Sequence, residues 1–83
     1  MTKKSILVWV RSPEEDKHKE ALRAAVGLCL RGAAVSVHFS SEFSENVITS
    51  RAAKTLADLG IPLPPPSNAA PPSYTSADIV EVW

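Results

Sequence analysis

The sequence predicts a small α/β protein, a three-layer α/β/α unit built on a parallel sheet of three strands, or four. Three observations lead there. The run Ser5-Ile-Leu-Val-Trp-Val10 is continuously apolar rather than alternating, as in a strand covered on both faces. Strand-like and helix-like patterns then follow in the order strand, helix, strand, helix, strand, which implies right-handed crossovers and parallel pairing. The length of 83 residues, with 45% hydrophobic and 22% charged, suits one globular domain spanning residues 1–83.

After the first strand, Arg11-Ser-Pro-Glu-Glu-Asp16 holds two helix starts. Ser12, followed by Pro13 and by Glu15 three residues on, has the form of a capping box, and Asp16 is the rival cap. A helix from Lys17 to Arg31 spans roughly 22 Å, near the roughly 20 Å of a six-residue strand. That match favours Asp16, with residues 11–15 as a loop. Leu22, Ala25, Val26 and Cys29 form one apolar stripe, which Ala21, Leu28 and Leu30 widen, and Gly32 ends the helix. Ala34-Val-Ser-Val-His-Phe39 alternates, with Val35, Val37 and Phe39 on one face and Ser36 and His38 on the other. It reads as a half-buried or edge strand.

A second helix is expected from after Ser44 to about Leu59, with Ile48, Ala52, Thr55, Leu56 and Leu59 on its inner face. Gly60 ends it, Ile61 is placed to pack back on Leu56, and Pro62 forbids continuation. Six of the seven prolines fall between Pro62 and Pro72, so 62–75 reads as an extended loop. Ala77-Asp-Ile-Val-Glu-Val-Trp83 is the closing strand.

Nine Lys+Arg balance nine Asp+Glu, which removes the basic field that nucleic-acid binding normally depends on. The single cysteine excludes an internal disulfide framework and a multi-cysteine metal cluster. The run Ile6–Val10 is too short for a signal-peptide core or a membrane span. The expectation is a soluble, cytoplasmic protein with no membrane and no nucleic-acid partner. Gly27, Gly32 and Gly60 are the only glycines and none follows a strand, so no phosphate-cradling loop and no cofactor is expected.

Leu30-Arg-Gly-Ala-Ala-Val-Ser-Val-His-Phe39, ending an alanine-rich helix, and the closing Ala77-Asp-Ile-Val-Glu-Val-Trp83 resemble the DsrE/DsrF/DsrH-like sulfur-relay family. The resemblance covers about half the chain, at its two ends. Persulfide-carrying members place a cysteine shortly after a Gly-x-x-Leu segment like Gly60-Ile-Pro-Leu63; here Pro64-Pro-Pro66 follows instead. The resemblance therefore implies a shortened relative without the family's catalytic step, linked to sulfur metabolism. The end on Trp83 and the proline-rich join are also compatible with a piece of a longer domain.

Among candidate residues, Arg11, Ser12, Ser40 and Ser41 follow the first two strands, where open α/β sheets bind ligands and helix N-termini attract anions. They are the candidate small-anion site, against the plainer reading that Ser12 caps a helix and Ser40-Ser41 turn the chain. Cys29 is the only nucleophilic thiol, but a helix C-terminal turn disfavours its thiolate, and it reads as a buried structural cysteine. His18 is expected in solvent and His38 as a hydrogen-bonded histidine on the polar strand face; two histidines and one cysteine fall short of a zinc site. Trp9 and Trp83 are expected in the core or at a subunit interface. Pro62–Pro66 reads as loop rather than a polyproline ligand.

A domain of this size buries only about 60–65% of its unfolded surface, and a thin parallel sheet leaves edges open. The function expected is a non-catalytic, self-associating binding or assembly subunit, a homo-oligomer with room for a further protein partner. The alternatives are a sulfur carrier using Cys29 and an anion-dependent transferase at the strand-end crevice.

Overall fold

Val8 and Val10 face one side of the first strand and Leu7 and Trp9 the other, so this strand can be stable only in the middle of a sheet with both faces covered. The computed structural model, which describes residues 3–71 and 74–83, puts it there. Strand β1 (Ser5–Val10) lies between β2 (Ala34–Phe39) and β3 (Ile79–Val82), parallel to both, in the order β2-β1-β3. Val8 is level with Val37 and Val10 with Phe39, so the alternating apolar face of β2 continues that of β1. The small α/β class and the parallel three-stranded sheet are as the sequence predicts.

The first face carries all the helices. Ala21, Leu22 and Ala25 of α1 (Glu15–Leu30), Val47 of α2 (Glu45–Ile48), and Ala53 and Leu56 of α3 (Arg51–Asp58) form one buried cluster with Val8, Val10, Val37 and Phe39. The second face is covered without a helix. Ser67 donates its amide to Phe39 O (2.9 Å) and accepts from His38 Nε2 (3.0 Å), and Tyr74 sets its ring edge-on to Trp9 at 5.1 Å. The proline-rich segment is thus a strap across Leu7 and Trp9, with Pro71 buried and Leu7 only 1% exposed. Its Pro72 and Ser73 lie outside the described residues. Handedness accounts for this path. The connection β1–α1–β2 moves one way across the sheet and the return from β2 past β1 to β3 moves the other way. Right-handed crossovers in opposite directions need opposite faces.

Both helix ends predicted at glycine are present. Gly32 (φ 91°) and Gly60 (φ 86°) adopt left-handed backbone. Ala33 N bonds Leu28 O at 3.1 Å and Ile61 N bonds Leu56 O at 2.8 Å, the longer closing bonds of two Schellman motifs. Ile61 packs against the core as expected.

Several element boundaries depart from expectation. Helix α1 begins at Glu15, not Lys17, and neither Ser12 nor Asp16 caps it; Glu14 occupies the cap position without a side-chain bond. The amides of Arg11 and Ser12 both donate to Trp83 O (2.9 Å each), which holds the loop until Pro13 releases it. Glu15 then accepts a hydrogen bond from Ser44 Oγ and another from Asn46 Nδ2 (3.4 Å), so the first of the two added residues is tied to the start of α2. The expected single second helix is two. Ser50 turns the chain out of α2 and caps α3 by accepting from Ala53 N at 3.3 Å. That break resets the helical phase: Val47, Ala53 and Leu56 face inward, while Ile48 and Leu59 are exposed. Leu30 is also exposed, since the buried stripe of α1 runs through His18, Ala21, Leu22 and Ala25. The closing strand is shorter than 77–83 because Asp78 is drawn into a clasp, accepting from Ser5 N at 2.8 Å and donating its amide to Ser5 O at 2.9 Å.

An alanine Cβ at Gly60 meets no atom within 4 Å, so only the left-handed backbone opposes the change. Gly60→Ala is expected to destabilise by roughly 1–2 kcal/mol, read as a lower urea midpoint at unchanged m-value.

Candidate functional site

The carboxyl ends of β1 and β2 gather the predicted anion-site residues, each already engaged in the fold or buried. The Arg11 guanidinium lies over the Trp9 ring, 5.2 Å from its centroid, a cation–π contact of about 0.5–1 kcal/mol when exposed. The Arg11 and Ser12 amides are those spent on Trp83 O. Ser12 Oγ accepts from Glu14 N at 3.2 Å. Ser40 Oγ accepts from Trp9 Nε1 at 2.9 Å while Ser40 N donates to Val10 O at 2.9 Å. Ser41 Oγ is buried and has no hydrogen-bond partner among the described residues. The sequence thus located these four residues at one end of the sheet, and tertiary contacts determine how many of their polar atoms remain open.

Trp9 organises this end. Its indole is met edge-on by Tyr74 from the strap and by His38 from β2 (centroids 6.4 Å apart), is topped by Arg11, and donates to Ser40. The rotation of β1 places Trp9 opposite His38 in register, which is why one aromatic collects partners from three segments. Sequence reading identified Trp9 only as a core or interface aromatic. Its cation and hydroxyl partners come from residues 2 and 31 positions away, and periodicity carries no signal for either.

His18 corrects the expectation of a solvated side chain: it is 1% exposed. Placed four residues before Leu22 and seven before Ala25, it heads the core stripe of α1 and meets Phe39 edge-on at 5.2 Å. Its Nε2 is 2.6 Å from Ser12 O, and since a carbonyl only accepts, Nε2 carries the proton. Nδ1 is then a buried acceptor with no partner among the described residues. The 18/22/25 spacing was visible beforehand, but a histidine inside a charged run (Glu15, Asp16, Lys17, Lys19, Glu20) reads as surface. The carbonyl that compensates its burial belongs to the preceding loop. His38, half-buried and bonded to Ser67, behaves as expected.

Cys29 is half-buried against the core cluster. Burial pushes its thiol pKa upward, with the Lys3 charge opposing only in part, so the thiol form is favoured at neutral pH. Glu15 is shifted the other way. The Ser44 hydroxyl is the main cause, followed against desolvation by Asn46 and by Lys19 at 3.6 Å, and together they hold its carboxyl below the ordinary value. Among the described residues no helix is long and apolar enough to cross a membrane.

Comparison with family models, with curated proteins and with solved structures gives no match to this chain.

Two measurements check these assignments. Cys29 is expected to be alkylated at neutral pH at least about threefold more slowly than a cysteine in an unstructured peptide, with the difference lost in denaturant. A depressed folded pKa at Glu15 contributes stability above the unfolded carboxyl's range, and that contribution fades as pH falls through the folded value. Glu15→Gln should therefore flatten the acid limb of the stability–pH curve while leaving its slope above neutrality unchanged.

Proposed function

We propose that this protein is a non-catalytic, self-associating binding or assembly subunit of DsrE-like build, linked to sulfur metabolism. The resemblance at the two ends of the chain supports the family reading. The proline run after Gly60-Ile-Pro-Leu63, where persulfide carriers have cysteine, supports the loss of catalysis. The raised pKa of Cys29 agrees with it, because the thiolate is the nucleophile in sulfur transfer.

The observation that carries the self-association is the outer edge of β3. Ile79 and Val82 are 39% and 58% exposed, and β3 pairs with β1 alone among the described strands. Trp83 N donates to Trp9 O and Arg11 N donates to Trp83 O, so Trp83 faces β1; by alternation Ile79 and Glu81 face β1 as well, and the amides and carbonyls of Val80 and Val82 point outward. Such an unpaired edge is a template for another strand. A second copy fits it: antiparallel pairing of two β3 strands about Glu81 places Val80 of each copy opposite Val82 of the other. The outward N–H and C=O groups then exchange hydrogen bonds symmetrically. The net charge of zero adds no long-range repulsion between copies.

Light scattering at micromolar concentration is expected to give twice the chain mass of 8.9 kDa. Val82→Pro removes one outward amide without touching the ladder to β1, and should yield a folded monomer. A wild-type chain that stays monomeric and well folded at these concentrations overturns the reading.

A further inference from the structure

The side of α1 that faces α3 carries Lys19 and Arg23, one helical turn apart, and the first residue of α3 is Arg51. These three cations line a cleft of about 330 Å³ between the two helices. Like charges at i and i+4 on one helix repel, and bringing a third from a second helix to the same cleft compounds the cost. No carboxylate lines the cleft. Among the described residues Lys19 has one ion pair, to Glu15 at 3.6 Å, and neither Arg23 nor Arg51 has any. The chain contains as many acidic as basic residues, so this separation of sign is local.

The cleft also presents backbone donors. Ser50 Oγ takes the amide of Ala53 and Ser50 O that of Lys54, whereas the amides of Arg51 and Ala52, at the head of α3, have no acceptor within the helix. They add donors to a site the side-chain cations already define. Val26 and Ala52 supply an apolar part of the wall. The volume lies at the small end of the range for ligand clefts. Charge, donors and size together call for a compact dianion with a small organic body.

We propose that the α1–α3 cleft binds a small phosphomonoester, with Arg23 and Arg51 gripping the phosphoryl oxygens, Lys19 adding charge, and Val26 and Ala52 meeting the organic group. The site lies among the helices, so it is independent of the β3 edge, and either reading can fail without the other.

The test is an amide-resolved NMR titration of the full chain with inorganic phosphate and then with glycerol phosphate. Saturating shifts are expected at the Arg51 and Ala52 amides, with glycerol phosphate the tighter of the two. Arg23→Gln and Arg51→Gln should each weaken binding about tenfold, as expected for loss of a charge-assisted pair. Arg51→Lys, which keeps the charge but loses the fork, should weaken it less, and Lys54→Gln, outside the cleft, should leave it unchanged. Shifts that grow without saturating, or that Lys54→Gln diminishes as much as Arg51→Gln does, indicate general attraction to basic surface and overturn the site. Equal affinity for the two probes overturns the part assigned to Val26 and Ala52.

Discussion

The structure depends on one constraint: β1 is apolar on both faces, and a strand of that kind must be roofed twice. Three strands are the fewest that place it in the interior of a sheet, and the order β2-β1-β3 does so. Hydrophobic burial at about 25 cal/mol per Å² then rewards whatever covers Val8 and Val10 on one side and Leu7 and Trp9 on the other. Helices α1, α2 and α3 together cover the first side. The second is covered by a strap that needs no ladder bonds of its own, and this is where a proline-rich composition serves the fold. Its prolines restrict the unfolded chain and so lower the entropy lost when the strap is laid down.

The end of the sheet where α/β proteins usually hold ligands is used here largely to close the fold. Trp83 O accepts two amides from the loop after β1, and the Trp9 indole donates to the Ser40 hydroxyl after β2. Asp78 clasps the opposite end of β3 to Ser5. A strand of four residues would otherwise be weakly held, so these bonds stand in for ladder length. Apart from the Ser41 hydroxyl, polar groups left over lie at the outer edge of β3 and in the basic cleft beside α3. The proposed binding roles at an edge and a helix cleft require no thiolate, in keeping with a single thiol whose pKa burial raises.

How much was legible from residues can be judged element by element. The uninterrupted run of β1, the alternation of β2 and the glycines at positions 32 and 60 are local signals with local causes, and each is present as read. The helix division at Ser50 was not legible, because Ser50 is an acceptable helix residue until its hydroxyl captures the Ala53 amide. Phase was lost with it, and Ile48 and Leu59 changed sides. His18 was misjudged for the same kind of reason, since its compensating carbonyl lies in the loop before the helix. In the candidate site, Arg11, Ser12, Ser40 and Ser41 lie at one end of the sheet as read, but Trp9 as the partner of Arg11 and Ser40 could not be seen.

The residues by themselves determined the class, the parallel direction of the strands and the two helix ends marked by Gly32 and Gly60. Those outcomes follow from periodicity, backbone sterics and crossover handedness, which act over a few residues or on the connection as a whole. Tertiary structure alone decided which face each helix turned inward, what lay across the second face of the sheet, and which polar groups were consumed. Those are matters of which distant atoms meet, and a hydrogen bond between Trp83 and Arg11, or a cleft between Arg23 and Arg51, exists only once the chain has closed on itself.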